Sequence, residues 1–186
     1  MGDAMGDGED LRPLIDGAIE GDDRATRDLI RATQERVRRL CTTLGSGDDF
    51  DDLVQETYLR AWRSLPGFRG DSTTFVVWLL RIARNTCADQ VRRRTRRRHL
   101  LRRLSLAPRD DLVAGPPGRL ELDDLLDRLP PDWRDAFVLT QVVGLAYAEA
   151  AAVCECPIGT IRSRVARARG RLVALLDDGA AESGRA

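Results

Sequence analysis

Apolar residues recur three and four positions apart along nearly the whole of this 186-residue chain, and the pattern fails at length only once, over residues 105–118. That spacing belongs to amphipathic helices, because a 3.6-residue turn brings i, i+3 and i+4 to one face. From Leu11 the stripe runs Leu14, Ile15, Ala18, Ile19, then Ala25, Leu29, Ile30, Val37 and Leu40. In the next helix Val54, Tyr58, Ala61 and Leu65 share a face, with Gln55, Glu56, Leu59, Arg60 and Arg63 opposite. Pro66-Gly67 breaks it and leads into a loop, Phe68 to Thr73. A long helix follows, with Phe75, Trp78, Leu79, Ile82, Ala83 and Thr86 as its buried stripe and Arg81, Arg84 and Asn85 pointing away. No alternating run of strand length occurs, so the expected fold class is all-α.

The interruption holds Pro108, Gly115, Pro116, Pro117 and Gly118, the composition of an interdomain linker. Fully extended at ~3.3 Å per residue it reaches about 46 Å, enough for the two halves to sit far apart. The expected division is a disordered tail over residues 1–10, a helical domain over 11–98, a flexible linker over 99–119, a second small helical domain over 120–176 and a tail over 177–186. The second domain opens on Leu122, Leu125, Leu126 and Leu129, closed by Pro130-Pro131. A helix from about Asp132 to Val143 follows, with Gly144 as its stop.

A net charge of zero hides strong segregation. Residues 1–56 hold 7 arginines against 15 acids, and residues 57–105 hold 13 against 2. Residues 106–140 hold 4 against 8, residues 141–176 hold 5 against 2, and residues 177–186 hold 1 against 3. Two basic segments divided by an acidic one suggest two polyanion-binding surfaces, although a charge run by itself is more often a solvated face. The run Arg92 to Arg103 around His99 reads as a phosphate-binding patch, with His99 solvated.

Other classes find little support. No apolar run reaches the roughly 18 residues that span a bilayer, and the acidic N-terminus lacks the basic and apolar regions of a signal peptide, so the chain is expected in the cytoplasm with no membrane insertion. Cys41, Cys87, Cys154 and Cys156 match neither a C-x-x-C redox pair nor a zinc set and read as small buried or turn residues. No nucleophile constellation, metal set or phosphate loop stands out, so no cofactor and no enzymatic activity are expected.

Leu145 to Leu172 reads as helix, turn, longer helix, with Pro157 in the first turn of the second helix, where its missing N–H costs nothing. There Ile161, Val165, Ala168 and Leu172 share a face. Gly159, Ser163, Ala166, Arg167 and Gly170 lie opposite, flanked by Arg162, Arg164, Arg169 and Arg171. Small or hydrogen-bonding residues in the centre with cations at the sides suit a helix entering the major groove. A basic helix hairpin with a solvated face is the plainer alternative.

These residues also carry a family resemblance. Leu129-Pro130-Pro131-Asp132-Trp133-Arg134-Asp135-Ala136-Phe137, Gly144 to Ala151 and Cys156 to Arg164 resemble region 4 of extracytoplasmic-function (ECF, group 4) sigma factors of the sigma-70 family, which reads the promoter minus-35 element. The resemblance makes Arg162, Ser163, Arg164, Ala166 and Arg167 the candidate minus-35 contacts. Where the family usually has a capping Ser, this chain has Ala146. The segment Asp52 to Trp62 resembles the D-x-x-Q-E stretch of region 2.2, which docks on the clamp helices of the largest polymerase subunit, so Asp52, Leu53, Gln55, Glu56 and Leu59 become polymerase-binding candidates. Phe68 to Ser72 and Trp78 to Asn85 resemble regions 2.3 and 2.4, which open and read the minus-10 element. The carried-over residues are Phe68, Arg69, Gly70, Asp71, Ser72, Arg81, Arg84 and Asn85. Between Phe68 and Trp78 the chain is one residue longer than the family's spacing, which leaves the loop register open to a shift of one. Within the family, Ala150 to Arg169 is similar to actinobacterial sigma-C-type proteins.

The resemblance implies core RNA polymerase, through its clamp helices and the flap of its second-largest subunit, and promoter DNA as partners. It leaves open an anti-sigma factor. The competing reading is a helix-turn-helix regulator that binds an operator without being a polymerase subunit. An Arg-rich RNA-binding domain is disfavoured because few aromatics are available for stacking. The charges further predict that the acidic N-terminal half packs on the basic C-terminal helices in the free protein and masks DNA binding.

Overall fold

The computed structural model describes residues 10–45, 50–103 and 124–183. Most of the expected linker, the stripe residue Leu122, the break at residues 46–49, the tail up to Glu9 and the end of the C-terminal tail lie outside that range, as do the side chains of Arg98, His99, Arg102 and Arg103. Among the described residues every regular element is helical, as the apolar spacing predicts.

The first unit comprises α1 (Arg12–Glu20), α2 (Asp23–Leu44), α3 (Phe50–Ser64), a 3-10 turn (Leu65–Gly67) and α4 (Ser72–Arg103). The Asp22 carboxylate starts α2 by accepting the Arg24 N–H at 2.7 Å, which satisfies one of the donors a helix start leaves over. Ile15, Leu29, Val37, Leu40, Phe75 and Leu79 are completely or almost completely buried, each contributing about 1.5–3 kcal/mol of apolar transfer. One polar pair sits in this core. Thr33 donates its hydroxyl to the Leu29 carbonyl at 2.8 Å, which leaves Tyr58 to donate to Thr33 Oγ1 at 2.9 Å. Burial pushes the Tyr58 phenol up to about 12, so it stays protonated and able to donate.

Helix α4 continues to Arg103, five residues past the expected end of this unit. Arginine is a good helix former, and neither Gly nor Pro intervenes before Pro108.

In the second unit residues 124–127 are helical. Helix α5 (Pro131–Phe137) runs directly into a π-helical turn (Val138–Val142), and α6 (Tyr147–Val153) and α7 (Ile158–Ser183) follow. Gly144, at φ +85°, makes the left-handed stop that a side chain would resist. Leu126, Leu139, Val153, Ile161 and Ala168 form the core beneath α7.

The two units are packed on each other, and their buried side chains form one continuous cluster. Helix α6 lies on α4, and the π-helical turn lies on α2. Arg84 Nε donates to Asp135 Oδ2 at 2.6 Å, Arg81 Nη1 donates to Glu155 Oε1 at 3.2 Å, and Arg134 donates to the Thr43 carbonyl. The polarity is the reverse of the one expected from segment charge: in these ion pairs the cations belong to α4 and the acids to the second unit. Screening over about 8 Å makes the charges at the contact decide, not the segment totals.

Candidate functional site

Helix α3 presents Asp52, Gln55 and Leu59 to solvent, with Leu59 44% exposed. Together with Glu56, Arg60, Asp89, Gln90 and Arg93 they line an open groove of about 400 Å³ between α3 and α4. Arg60 organises its floor, bonding Glu56 Oε1 at 2.7 Å and Asp89 Oδ2 at 3.0 Å, and Arg92 adds a further bond to Asp89 at 2.8 Å. The Arg60 hydrogen bond holds the Glu56 carboxyl below its usual range, so the groove carries fixed charges around the exposed Leu59 side chain. Leu53, grouped with this face in the sequence, also lines the groove but only from beneath: it is 6% exposed and lies with Thr57, Tyr58 and Ala61 on the inward side of α3. At i, i+4, i+5 and i+8 these four residues define the buried side of α3.

The Phe68–Ser72 loop is closed by its own polar groups. Phe68, carried over as a minus-10 candidate, sits in the core of the packed protein: it is 7% exposed and its ring meets Phe75 edge-on at 5.3 Å and Trp78 at 5.2 Å. Arg69 folds back to donate to the Pro66 and Phe68 carbonyls at 3.0 and 2.7 Å. Gly70 has no room for a side chain, since a Cβ would lie 2.9 Å from Phe68 Cζ and 2.8 Å from Thr74 Cγ2. Asp71 caps α4, accepting the Thr74 N–H at 2.8 Å, and that bond holds its carboxyl below the usual range. Residues 73–77, between this loop and Trp78, already belong to α4.

Of the α4 candidates, Asn85 is exposed, whereas Arg81 and Arg84 are engaged across the junction. Burial opposes the Arg84 charge, but Asp135 outweighs it and raises the guanidinium further. The packed arrangement therefore occupies the α4 cations nominated for DNA.

On α7, Gly159, Ser163, Ala166, Arg167 and Gly170 are exposed, the same outward face that the helical wheel picks out, and Arg162 is exposed beside them. Ser163 donates to the Thr160 carbonyl at 2.9 Å, and the Arg167 guanidinium lies 5.9 Å from the centre of the Trp133 ring. Arg164, another of the minus-35 candidates, pairs with Asp132 and contacts Cys156 Sγ at 3.6 Å, which ties α7 to α5 and leaves it part-buried. The expected covering of the basic C-terminal helices is not what the packing does: the outward α7 residues stay exposed, and it is Arg81 and Arg84 of α4 that the junction engages.

Residues 29–97 match the family model of Sigma-70 region 2, and residues 119–172 match that of Sigma-70, region 4. The chain is 43% identical over 171 residues to the ECF RNA polymerase sigma factor SigC of Mycobacterium tuberculosis, an alignment covering 90% of this chain and 92% of that protein. It belongs to the ECF RNA polymerase sigma factors. The ECF RNA polymerase sigma-E factor of Escherichia coli is 32% identical, with 84% and 88% covered. Among solved structures, CnrH bound to the cytosolic domain of CnrY aligns with TM-score 0.70 at 32% identity, covering 90% of this chain and 97% of that one. The Bartonella quintana sigma factor RpoE, bound to the anti-sigma factor NepR, aligns with TM-score 0.67 at 32% identity, covering 82% and 96%.

In this sigma factor, regions 2 and 4 are thus the first and second units, and no described helix is long and apolar enough to cross a membrane. Several residues around the sites carried no signal in the sequence. Asp10, read as the end of a tail, accepts a hydrogen bond from Ser72 at 2.9 Å across a separation of 62 residues. Glu155 occupies the helix-turn-helix turn at φ +52° while reaching Arg81, a long-range contact that no local pattern encodes.

Proposed function

We propose that this ECF sigma factor docks on core RNA polymerase through the exposed face of α3, with Asp52, Gln55, Glu56 and Leu59 as the contacts and Leu59 as the apolar anchor. What supports this reading is the groove itself: one half-exposed Leu among charges that Arg60 and Asp89 hold in place, the composition of an interface hot spot. The loop around Gly70 and Asp71, with Asn85 and, once released, Arg81 and Arg84, takes the unstacked minus-10 strand. Freeing a base costs a few kcal/mol, which polar groups and cations repay. Region 4 enters the minus-35 major groove with Arg162, Ser163, Ala166 and Arg167, and its other end meets the polymerase flap. The chain acts in the cytoplasm as a specificity subunit and not as an enzyme, the chemistry being that of the polymerase. An anti-sigma factor is a further partner, a reading supported by the structural neighbour RpoE, a sigma factor in complex with the anti-sigma factor NepR.

Transcription in vitro with core polymerase and a promoter library tests this, with Leu59→Arg expected to weaken core association at least tenfold while leaving the thermal midpoint unchanged. Failure to bind core, combined with tight duplex binding by the free protein, would favour the operator-binding regulator.

A further inference from the structure

The segment ahead of α1 is fastened to the minus-10 loop. The Leu11 N–H donates to Ser72 Oγ at 3.0 Å, and the Ser72 hydroxyl in turn donates to Asp10 Oδ1 at 2.9 Å. Asp10 Oδ1 also accepts the Arg12 N–H at 3.0 Å. Arg12 then reaches the loop from the other side, donating Nη1 to the Gly70 carbonyl at 2.6 Å while its Nε is held by Asp16 at 2.8 Å. Leu11 between them is buried, so the strap is anchored in the core.

Apart from the part-buried Leu11–Ser72 bond these contacts are solvent-exposed, and as pure stability elements they would count for little. Their placement is what matters. They end on Gly70 and Ser72, the two residues flanking the helix cap Asp71, while Arg69 secures the preceding turn. Gly70 is also the position where a Cβ would collide with Phe68 and Thr74. With the ring of Phe68 buried below, the loop is held from both sides before any nucleotide arrives. A loop ordered in advance loses less conformational freedom on capture, and the saving goes to the base that fits.

We propose that Asp10 and Arg12 are positioning residues for minus-10 recognition, holding the Gly70–Ser72 loop in the shape that discriminates the captured base. This rests on the assignment of that loop to the minus-10 element. The geometry separates two variants that have the same charge. Asp10→Asn keeps an oxygen that accepts from both Ser72 and Arg12, whereas Asp10→Ala keeps none. Both remove one negative charge, so any general change in attraction to DNA is common to the two. Arg12→Lys cannot span Asp16 and the Gly70 carbonyl together, because an ammonium lacks the planar fork.

The test uses holoenzyme assembled from the full chain and fork-junction DNA bearing the preferred minus-10 sequence, found by library transcription, against its single-base variants. Asp10→Ala, Arg12→Ala and Arg12→Lys are expected to lower discrimination among these probes about tenfold. Asp10→Asn should stay within about twofold of the parent, with affinity for core polymerase and minus-35 duplex unchanged throughout. Equal behaviour of Asp10→Ala and Asp10→Asn, or parental discrimination by Arg12→Ala, overturns the proposal. Gly70→Ala reads the underlying assignment. If it too discriminates like the parent, the loop is not the minus-10 reader; if it alone loses discrimination, only the role of Asp10 and Arg12 falls.

Discussion

Arg84 Nε lies 2.6 Å from Asp135 Oδ2 across the junction of α4 and α5, with 22% and 17% of the two side chains exposed. Burial pushes the Asp135 carboxyl above its ordinary range, against the pull of Arg84, so the acid sits in a place that tolerates its charge only because the cation is there. Arg84→Ala should weaken packing of the two units by about 2 kcal/mol, a figure reduced from that of fully buried pairs for the remaining exposure. Hydrogen exchange at α6 amides reports the opening, and Asp135→Ala, which frees Arg84 without removing it, should bind single-stranded minus-10 DNA better than the parent does. Arg84→Asp combined with Asp135→Arg restores closure. Unchanged exchange in Arg84→Ala would show that apolar contacts alone hold the units together.

Acid should act in opposite directions on the start of α4 and on the junction at its middle. The Asp10 carboxyl is held down first by the Arg12 N–H and then by Ser72, and that of Asp71 by Thr74. Groups depressed in the folded state stabilise it above their ordinary value near 3.8 and lose that contribution as pH falls through the lower folded value. Asp135 is raised, so the closed junction binds its proton more readily than the open one and is favoured, relative to neutral pH, as pH falls through the raised value toward 3.8. NMR titration from pH 6 to about 2.5 should show the amides around Ser72 loosening before those of α5. The opposite order would contradict these assignments.

Helix α6 begins with half of a capping box. Glu149 Oε2 accepts the Ala146 N–H at 2.8 Å, but Ala146 has no oxygen with which to return a bond to the Glu149 N–H. Its backbone already has the extended conformation of a cap. Ala146→Ser is expected to add about 1 kcal/mol, seen as a rise of roughly 2–4 °C in the thermal midpoint. No rise would mean that the hydroxyl prefers water over the Glu149 N–H.

Glu155 sets a strained backbone against an exposed ion pair. Its φ of +52° costs a non-glycine residue about 1–2 kcal/mol, whereas its bond to Arg81, with 41% and 68% of the side chains exposed, contributes about 0–1. The strain is the larger quantity. Glu155→Gly should therefore be neutral to stabilising by about 1 kcal/mol in denaturant unfolding; a loss of more than 1 kcal/mol would assign the larger share to the ion pair.

Read as a linear pattern, the chain already disclosed its helices, the Gly144 stop, the outward face of α7 and its resemblance to sigma regions 2 and 4. Those features are local: a 3.6-residue period, a glycine at a helix end and an ordered motif are complete within a few dozen neighbouring positions. That Leu53, Phe68 and Arg164 are partly or wholly covered in the packed protein is not legible in that pattern, for a corresponding reason. A motif places a segment in a site, but which of its side chains turn inward depends on what packs against it, here α4 and Trp78 beneath the loop and Asp132 beside α7. The same holds for Asp10 on Ser72, Arg12 on Gly70 and Arg84 on Asp135, separated by 62, 58 and 51 residues. Hydrogen bonds and ion pairs act over a few ångströms, so chain folding alone decides which distant groups come within reach, and whether the α4 cations face DNA or the other half of the protein.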